Sequence, residues 1–194
     1  MGETEYHPLQ PFLPEGTRLL MLGSFPPARK RWSMDFFYPN FTNDMWRIFG
    51  LCFFGDKDRL VDADRKTFRR EAIEQLLRER GIGLYDTATA VCRTTGTASD
   101  KDLEVVTPTD LDALFARIPQ CRSAVTTGQK ATDLFCAYYG ISQPKVGSSI
   151  AFTLTDGRPM RLYRMPSSSR AYPMRVERKA DCYRPMFSET VGPL

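Results

Sequence analysis

Apolar positions follow two alternating rhythms along this chain of 194 residues. Residues 17–22 end in Leu19-Leu20-Met21-Leu22 and stop at Gly23. A short continuous run of this kind predicts a strand buried on both faces. Over residues 43–54 the period changes, and Met45, Ile48, Phe49 and Cys52 share one face of a helix, with Trp46 and Phe53 beside it. Residues 65–80 predict a second, highly charged helix with Phe68, Ala72, Ile73, Leu76 and Leu77 as its stripe and Gly81 as its C-cap. A short strand over 82–86 precedes a polar loop that runs to about residue 100. Thr107 as N-cap and Pro108 in the first turn predict a helix over 108–117. Residues 123–127 read as a strand that turns at Gly128 into a helix, with Ala131, Leu134, Phe135 and Tyr138 on one face. Strands over 150–154 and 160–165 flank an Asp156-Gly157 turn, and a last helix covers 173–188.

Alternating strands and helices predict an α/β fold of three layers, α/β/α, around a central, mainly parallel sheet of four to five strands. The chain reads as one domain, with residues 1–16 as an extended N-terminal tail. In such sheets ligands bind beyond the carboxyl ends of the strands. Four loops qualify: those after Leu22, after Asp86, at Gly128 and after Met165.

Composition narrows the chemistry. No apolar run approaches the ~20 residues of a membrane span. The N-terminus, MGETEYHPLQPFLPEG, lacks the basic and apolar regions of a signal peptide. Five cysteines, at 52, 92, 121, 136 and 182, form no closely spaced pair. They read as buried thiols of a reducing cytoplasm, and a cytoplasmic location is expected. The single histidine, His7, falls in the tail, so a Ser-His-Asp or Cys-His mechanism has no support. There is no P-loop, no G-x-G-x-x-G and no cluster of metal-ligand type, so neither a cofactor nor a metal is expected. The net charge is only +4, yet from Arg158 onward eight basic residues face three acidic ones. With Arg29-Lys30-Arg31 this surplus admits a polyanion-binding surface. On charge alone, a dispersed and solvated surface is the simpler reading.

What remains is amide, hydroxyl and aromatic chemistry on the four loops. Phe36-Phe37-Tyr38 precede Pro39 in a loop, where one ring can offer a stacking face and another plug the core. Asn40 and Asn43 carry amides able to hold a water or read a base edge. On spacing alone, Asn43 is a helix cap. The segment Met165-Pro166-Ser167-Ser168-Ser169-Arg170-Ala171-Tyr172 ends a strand with small hydroxyl residues and an arginine, a composition suited to a phosphate and equally to a plain polar loop. Asp86 is the best-placed carboxylate, able to position a water or, more simply, to hold the loop after it.

Six pieces in order resemble one family. They are Gly23-Ser24-Phe25-Pro26 after a strand; Phe37-Tyr38-Pro39 with Asn43-Asp44-Met45-Trp46; Gly81-Ile82-Gly83-Leu84-Tyr85-Asp86; Gly96-Thr97-Ala98-Ser99-Asp100; Thr127-Gly128 opening a helix; and the loop from Met165 to Ser169. From about residue 17 to 185 the chain resembles the uracil-DNA glycosylase superfamily, and within it the branch of mismatch-specific and hypoxanthine-DNA glycosylases. Departures accompany the match. Three residues, rather than the usual one, separate Pro39 from Asn43, so Asn40 competes with Asn43 for the catalytic position. Thr127 replaces an Asn that reads the base in relatives. Arg170-Ala171-Tyr172 stands where Pro-Ala-Asn is common. Ser24 stands where other branches carry a water-activating Asp or Asn, and the histidine of the classical uracil enzymes has no counterpart.

The resemblance implies a monofunctional DNA glycosylase of base excision repair that flips a deaminated base, uracil or hypoxanthine, out of DNA. It implies that Phe37 or Tyr38 stacks on the base and that Phe25 and Thr127 complete the base site. Asn43 or Asn40 would hold the attacking water, with Ser24 and the amides near Ser24 and Phe25 beside it. Ser167, Ser168, Ser169 and Arg170 would grip the flanking phosphates, and Tyr172 would fill the gap in the stack. The partner implied is damaged DNA, and nothing in the sequence demands more than a monomer. The alternative is a catalytically inactive protein of glycosylase fold that binds damaged DNA. A hydrolase of free nucleosides ranks below both.

Overall fold

The computed structural model describes residues 2–94 and 100–194. Its central sheet has the strand order β5-β2-β8-β10-β9, formed by β2 (Leu19–Gly23), β5 (Ile82–Asp86), β8 (Ser123–Thr127), β9 (Ser148–Thr153) and β10 (Pro159–Met165). The first four strands are parallel, and β9 closes the edge as the antiparallel partner of β10. The continuous apolar run of β2 lies at the centre of the sheet, where Leu19 to Leu22 are all at 0% exposure.

The helices are α1 (Met45–Phe54), α2 (Arg70–Arg80), α3 (Leu111–Ala116), α4 (Gln129–Tyr139) and α5 (Val176–Val191). The chain leaves β2 toward β5 on one side and later returns to β8 and β10 on the other. Right-handed crossovers therefore put α1 and α2 on one face and α3 and α4 on the opposite one. Ring contacts agree: Phe49 and Phe53 of α1 meet Phe187 of α5 at 5.0 and 4.9 Å, and Phe115 of α3 meets Phe135 of α4 at 6.5 Å. The result is the expected three-layer α/β/α arrangement. Strand order reverses between β2 and β8, so the crevice for a ligand opens at their carboxyl ends.

Several boundaries differ from the sequence reading. Residues 65–69 are not helical, because β3 (Val61–Asp62) and β4 (Thr67–Phe68) pair as a small hairpin ahead of α2. Residues 88–93 are not loop. They form β6 (Ala88–Arg93), the centre of a second, antiparallel sheet with β1 (Thr4–Tyr6) and β7 (Leu103–Pro108). Thr107 and Pro108 consequently end a strand, and α3 starts later, where Asp110 Oδ1 accepts the Ala113 N–H at 3.0 Å. The last helix begins and ends three residues later than expected. Residues 96–99 of the Gly96–Asp100 motif lie outside the described residues. The N-terminal residues do not hang free: besides β1, Phe12 exchanges backbone hydrogen bonds with Leu84 at 3.0 and 2.8 Å, covering the outer edge of β5.

A buried ion pair ties α1, α5 and the serine loop together at the crevice. Lys179 of α5 is at 0% exposure, and its Nζ donates to Asp44 Oδ2 at 3.0 Å and to the Ser169 carbonyl at 2.9 Å. Asp44 opens α1, and its N–H donates to the Ser168 carbonyl at 2.9 Å. Arg170 reaches the other oxygen of Asp44 at 3.4 Å. Removing one partner of such a pair strands a buried charge, which costs about 3–5 kcal/mol. Lys179→Met is therefore expected to lower the free energy of unfolding by roughly that amount, read by urea titration, whereas the double variant Lys179→Met/Asp44→Asn recovers part of the loss.

Candidate functional site

The crevice between β2 and β8 holds a cleft of ≈ 120 Å³. Its size is comparable with the ~150 Å³ cavity that accommodates a single benzene ring. Three strand-terminal residues, Gly23, Asp86 and Thr127, form its floor. Ser24, Phe25, Pro26 and Pro27 supply one side, Phe37, Tyr38, Pro39, Asn40 and Asn43 another, and Ser167, Ser168 and Ser169 a third, with Arg93 at the rim of β6. Five segments distant in sequence thus converge on one ring-sized space.

Phe36 and Phe37 are each only 4% exposed. Phe36 belongs to the core against Trp46, whereas Phe37 also lines the cleft. Tyr38 adopts φ 51°, the left-handed region that a non-glycine residue rarely enters. Neighbouring bonds hold it there. Ser33 donates through both its N–H and its Oγ to the Pro39 carbonyl at 2.8 Å, and Trp46 Nε1 donates to the Phe37 carbonyl at 3.1 Å. The outcome is a Tyr38 hydroxyl 3.3 Å from Thr127 Oγ1, across the floor. Backbone strain maintained in this way is characteristic of functional sites.

Both asparagines line the cleft, and both amide oxygens serve the local backbone. Asn40 Oδ1 accepts from the N–H and Oγ of Thr42 at 3.1 and 3.0 Å. Asn43 Oδ1 accepts the Met45 N–H at 2.9 Å, so the capping expected from its spacing does occur. An amide oxygen has a second lone pair and the amide nitrogen two hydrogens, so each side chain retains capacity toward the cleft.

The serine loop is turned inside out with respect to its acceptors. The carbonyls of Pro166, Ser168 and Ser169 point inward, to Tyr183 Oη at 2.7 Å, to the Asp44 N–H and to Lys179 Nζ. Ser167 Oγ and Ser169 Oγ accept N–H groups of their own loop at 3.1 and 3.3 Å, which directs their hydroxyl hydrogens elsewhere. Loop acceptors satisfied from inside leave donors for an anion outside. Arg170 does not line the cleft. It lies beside it, with its side chain 56% exposed and turned to Asp44. Tyr172 does not line it either; its ring lies 6.0 Å from Lys179 Nζ. Among the hydrogen bonds of the described residues, none engages the N–H of Ser24 or of Phe25.

Sequence reasoning left His7 in the tail and weighed Asp86 as a carboxylate able to position a water or, more simply, to hold the loop after it. His7 Nε2 lies 2.8 Å from Asp86 Oδ2, with its side chain 2% exposed. His7 Nδ1 accepts the Leu9 N–H at 3.1 Å, so the ring proton sits on Nε2 and is donated to Asp86. The imidazole stacks on Tyr85 at 4.6 Å and meets Phe25 edge-on at 5.3 Å. Burial, and then the neighbouring Asp86, push the Tyr85 phenol up. Arg93 was also overlooked: its Nη2 donates to the Pro26 carbonyl at 2.6 Å and its Nε pairs with Glu5. No local motif marks His7 or Arg93, because they reach the cleft's surroundings only when β1 docks on β6.

Part of the C-terminal basic surplus is spent inside the protein, while Arg161, Arg170, Arg175 and Arg178 are exposed. Arg158 donates to the carbonyls of Phe115, Ile118 and Cys121, Arg164 to Gln129 and Pro144, and Lys179 to Asp44. Two of the five cysteines are too buried for thiolate chemistry. Burial pushes the Cys52 thiol up to about 12 and that of Cys121 to about 11, so neither is a thiolate at neutral pH. Among the described residues no group of three or more His, Cys, Asp or Glu could hold a metal ion, and no helix is long and apolar enough to cross a membrane.

No family model and no curated protein matches the chain. A solved structure does. The solution NMR structure of a putative uracil DNA glycosylase from Methanosarcina acetivorans superposes with a TM-score of 0.62 at 22% identity, over 96% of this chain and 98% of that one. The two chains share a fold.

The floor of the cleft leaves little room for a side chain at Gly23. A Cβ there would come within 2.7 Å of Asp86 Oδ1. Gly23→Ala is expected to displace the carboxylate and destabilise the protein by about 1–3 kcal/mol in chemical denaturation, as overpacking does.

Proposed function

We propose that this protein is a monofunctional DNA glycosylase that hydrolyses the N-glycosidic bond of a deaminated base, uracil or hypoxanthine, in DNA. One observation carries the reading: a cleft sized for a single ring, at the switch point of the sheet, lined at once by aromatic rings, two asparagine amides and a serine loop whose acceptors face inward. The shared fold with the Methanosarcina protein supports it.

In this reading the target nucleotide leaves the stack at a cost of a few kcal/mol, lower at a mismatch. Phe37 and Tyr38 provide the apolar face for the base. Hydroxyl donors of residues 167–169 and the N–H groups of Ser167 and Ser168, with Arg170 nearby, hold the flanking phosphates. Asn43, or Asn40 beside it, positions a water. The C1′–N bond breaks with its electron pair going to the base, the water oxygen bonds to C1′, and its proton ends on the released base. The unengaged N–H groups of Ser24 and Phe25 offer donors for charge growing on that base. A largely dissociative cleavage asks for position and electrostatics rather than a strong base.

The commitment of both amide oxygens to Thr42 and Met45 favours one other reading, a glycosylase fold that binds damaged DNA without cutting it. Single-turnover assays separate the two. Duplexes carrying uracil or hypoxanthine are incubated with excess protein, and abasic sites are revealed by alkali. The glycosylase reading expects cleavage by wild type and a loss of about 100-fold or more in Asn43→Ala or in Asn40→Ala, with DNA binding retained. Tight binding without release of any base would establish the second reading instead.

A further inference from the structure

The pair formed by His7 and Asp86 has no part in the mechanism above, yet among the described residues Asp86 is the only carboxylate lining the cleft. We propose that Asp86, pinned by His7, is the specificity-determining residue of the cleft, selecting bases that carry a hydrogen on the ring nitrogen of their pairing edge. The proposal rests on the reading that a flipped base enters this cleft.

The geometry divides the carboxylate between two tasks. Oδ2 takes the His7 Nε2 proton at 2.8 Å, which fixes the plane of the group and spreads its charge. The backbone carbonyl of Asp86 is fixed as well, by Thr109 Oγ1 at 2.6 Å. Oδ1 lies beside the Cα of Gly23, at the floor, where the missing side chain of the glycine leaves the approach open. Asp86 is 7% exposed, so an acceptor there is shielded from bulk water but open to the cleft. At the same floor the hydroxyls of Tyr38 and Thr127 lie 3.3 Å apart, close to where a neighbouring carbonyl oxygen of the base would sit.

An ionised carboxylate only accepts hydrogen bonds. It therefore welcomes an N–H and repels a bare ring nitrogen. Deamination makes that exchange. Hypoxanthine carries a hydrogen on N1 beside a carbonyl, where adenine has a lone pair beside an amino group. Uracil differs from cytosine in the same way at N3. A carboxylate next to hydroxyl groups thus matches the deaminated edge and opposes the parent edge. Sites built around a buried polar partner discriminate strongly, because the wrong ligand leaves that partner unpaired. His7 is a positioning residue: behind Tyr85 and Phe25, it touches the carboxylate and does not line the cleft.

The test is a binding measurement on uncleavable DNA, so it does not require catalysis. Fluorescence anisotropy compares a duplex bearing 2′-fluoroarabino-hypoxanthine with one bearing the adenine counterpart at the same position. Wild type is expected to prefer the hypoxanthine duplex by about 10- to 100-fold, the range of one hydrogen bond to a charged group. Asp86→Asn keeps an acceptor for His7 but can present an amino group to the cleft, and most of the preference is expected to vanish. His7→Leu should lose it as well, while His7→Gln, which restores an N–H donor, should regain it; thermal unfolding of each variant verifies the fold. An undiminished preference in Asp86→Asn, or no preference in wild type, overturns the assignment. Failure of wild type to cut either uracil or hypoxanthine DNA would instead refute the glycosylase reading and leave the selectivity in place.

Discussion

The contact between Asp44 and Lys179 is the constraint on which this architecture depends. A lysine at the core of a protein is expensive unless it is neutralised and fully hydrogen-bonded. Here its partners are the carboxylate that opens α1 and a carbonyl of the serine loop. The loop after β10 and the aromatic loop before α1 therefore cannot move independently. They form two sides of the same cleft, so an interaction that is neutral or unfavourable as a contribution to stability fixes the distance across the site. Arg170 is coupled to the same carboxylate from the solvent side, which links any anion near it to the position of α1.

The second sheet performs the matching task on the other side. By docking β1 on β6 it carries Glu5 to Arg93 and His7 to Asp86, and it buries Phe25 against Ala88, Val91 and Leu103. The cleft is thus cross-linked on three sides by hydrogen bonds and ion pairs within the protein. Pre-organisation of this kind lowers the cost of ordering on binding and keeps donors and acceptors where charge will develop. Tyr38 is the point at which the cross-linking has a visible cost, since its backbone is held in a region that open loops avoid.

Much of this was legible in the sequence, and the reasons are physical. The central sheet could be read because β2, β5 and β8 are buried on both faces and show as short apolar runs ended by a turn or loop. The candidate site could be read because Ser24, Phe37, Asn40, Asn43, Thr127 and the serines all follow strand ends or open helices. The antiparallel sheet was hidden. Residues 88–93 alternate weakly, with alanine, threonine and cysteine, and their pairing partners lie some eighty residues upstream or beyond the polar stretch. The helix expected from residue 65 failed because a two-residue hairpin has no periodicity to detect. His7 illustrates the limit best. A lone histidine in a polar, proline-rich segment carries no local signal, and only long-range pairing brings it to Asp86.

The most direct measurement is a crystal structure of the Asn43→Ala variant with a duplex containing hypoxanthine. The account predicts that the lesion is flipped into the cleft, with its ring against Phe37 and Tyr38, its pairing edge at Asp86, and its flanking phosphates at Ser167–Arg170. A lesion still stacked in the duplex, or DNA bound on a face remote from the carboxyl ends of β2 and β8, would contradict it.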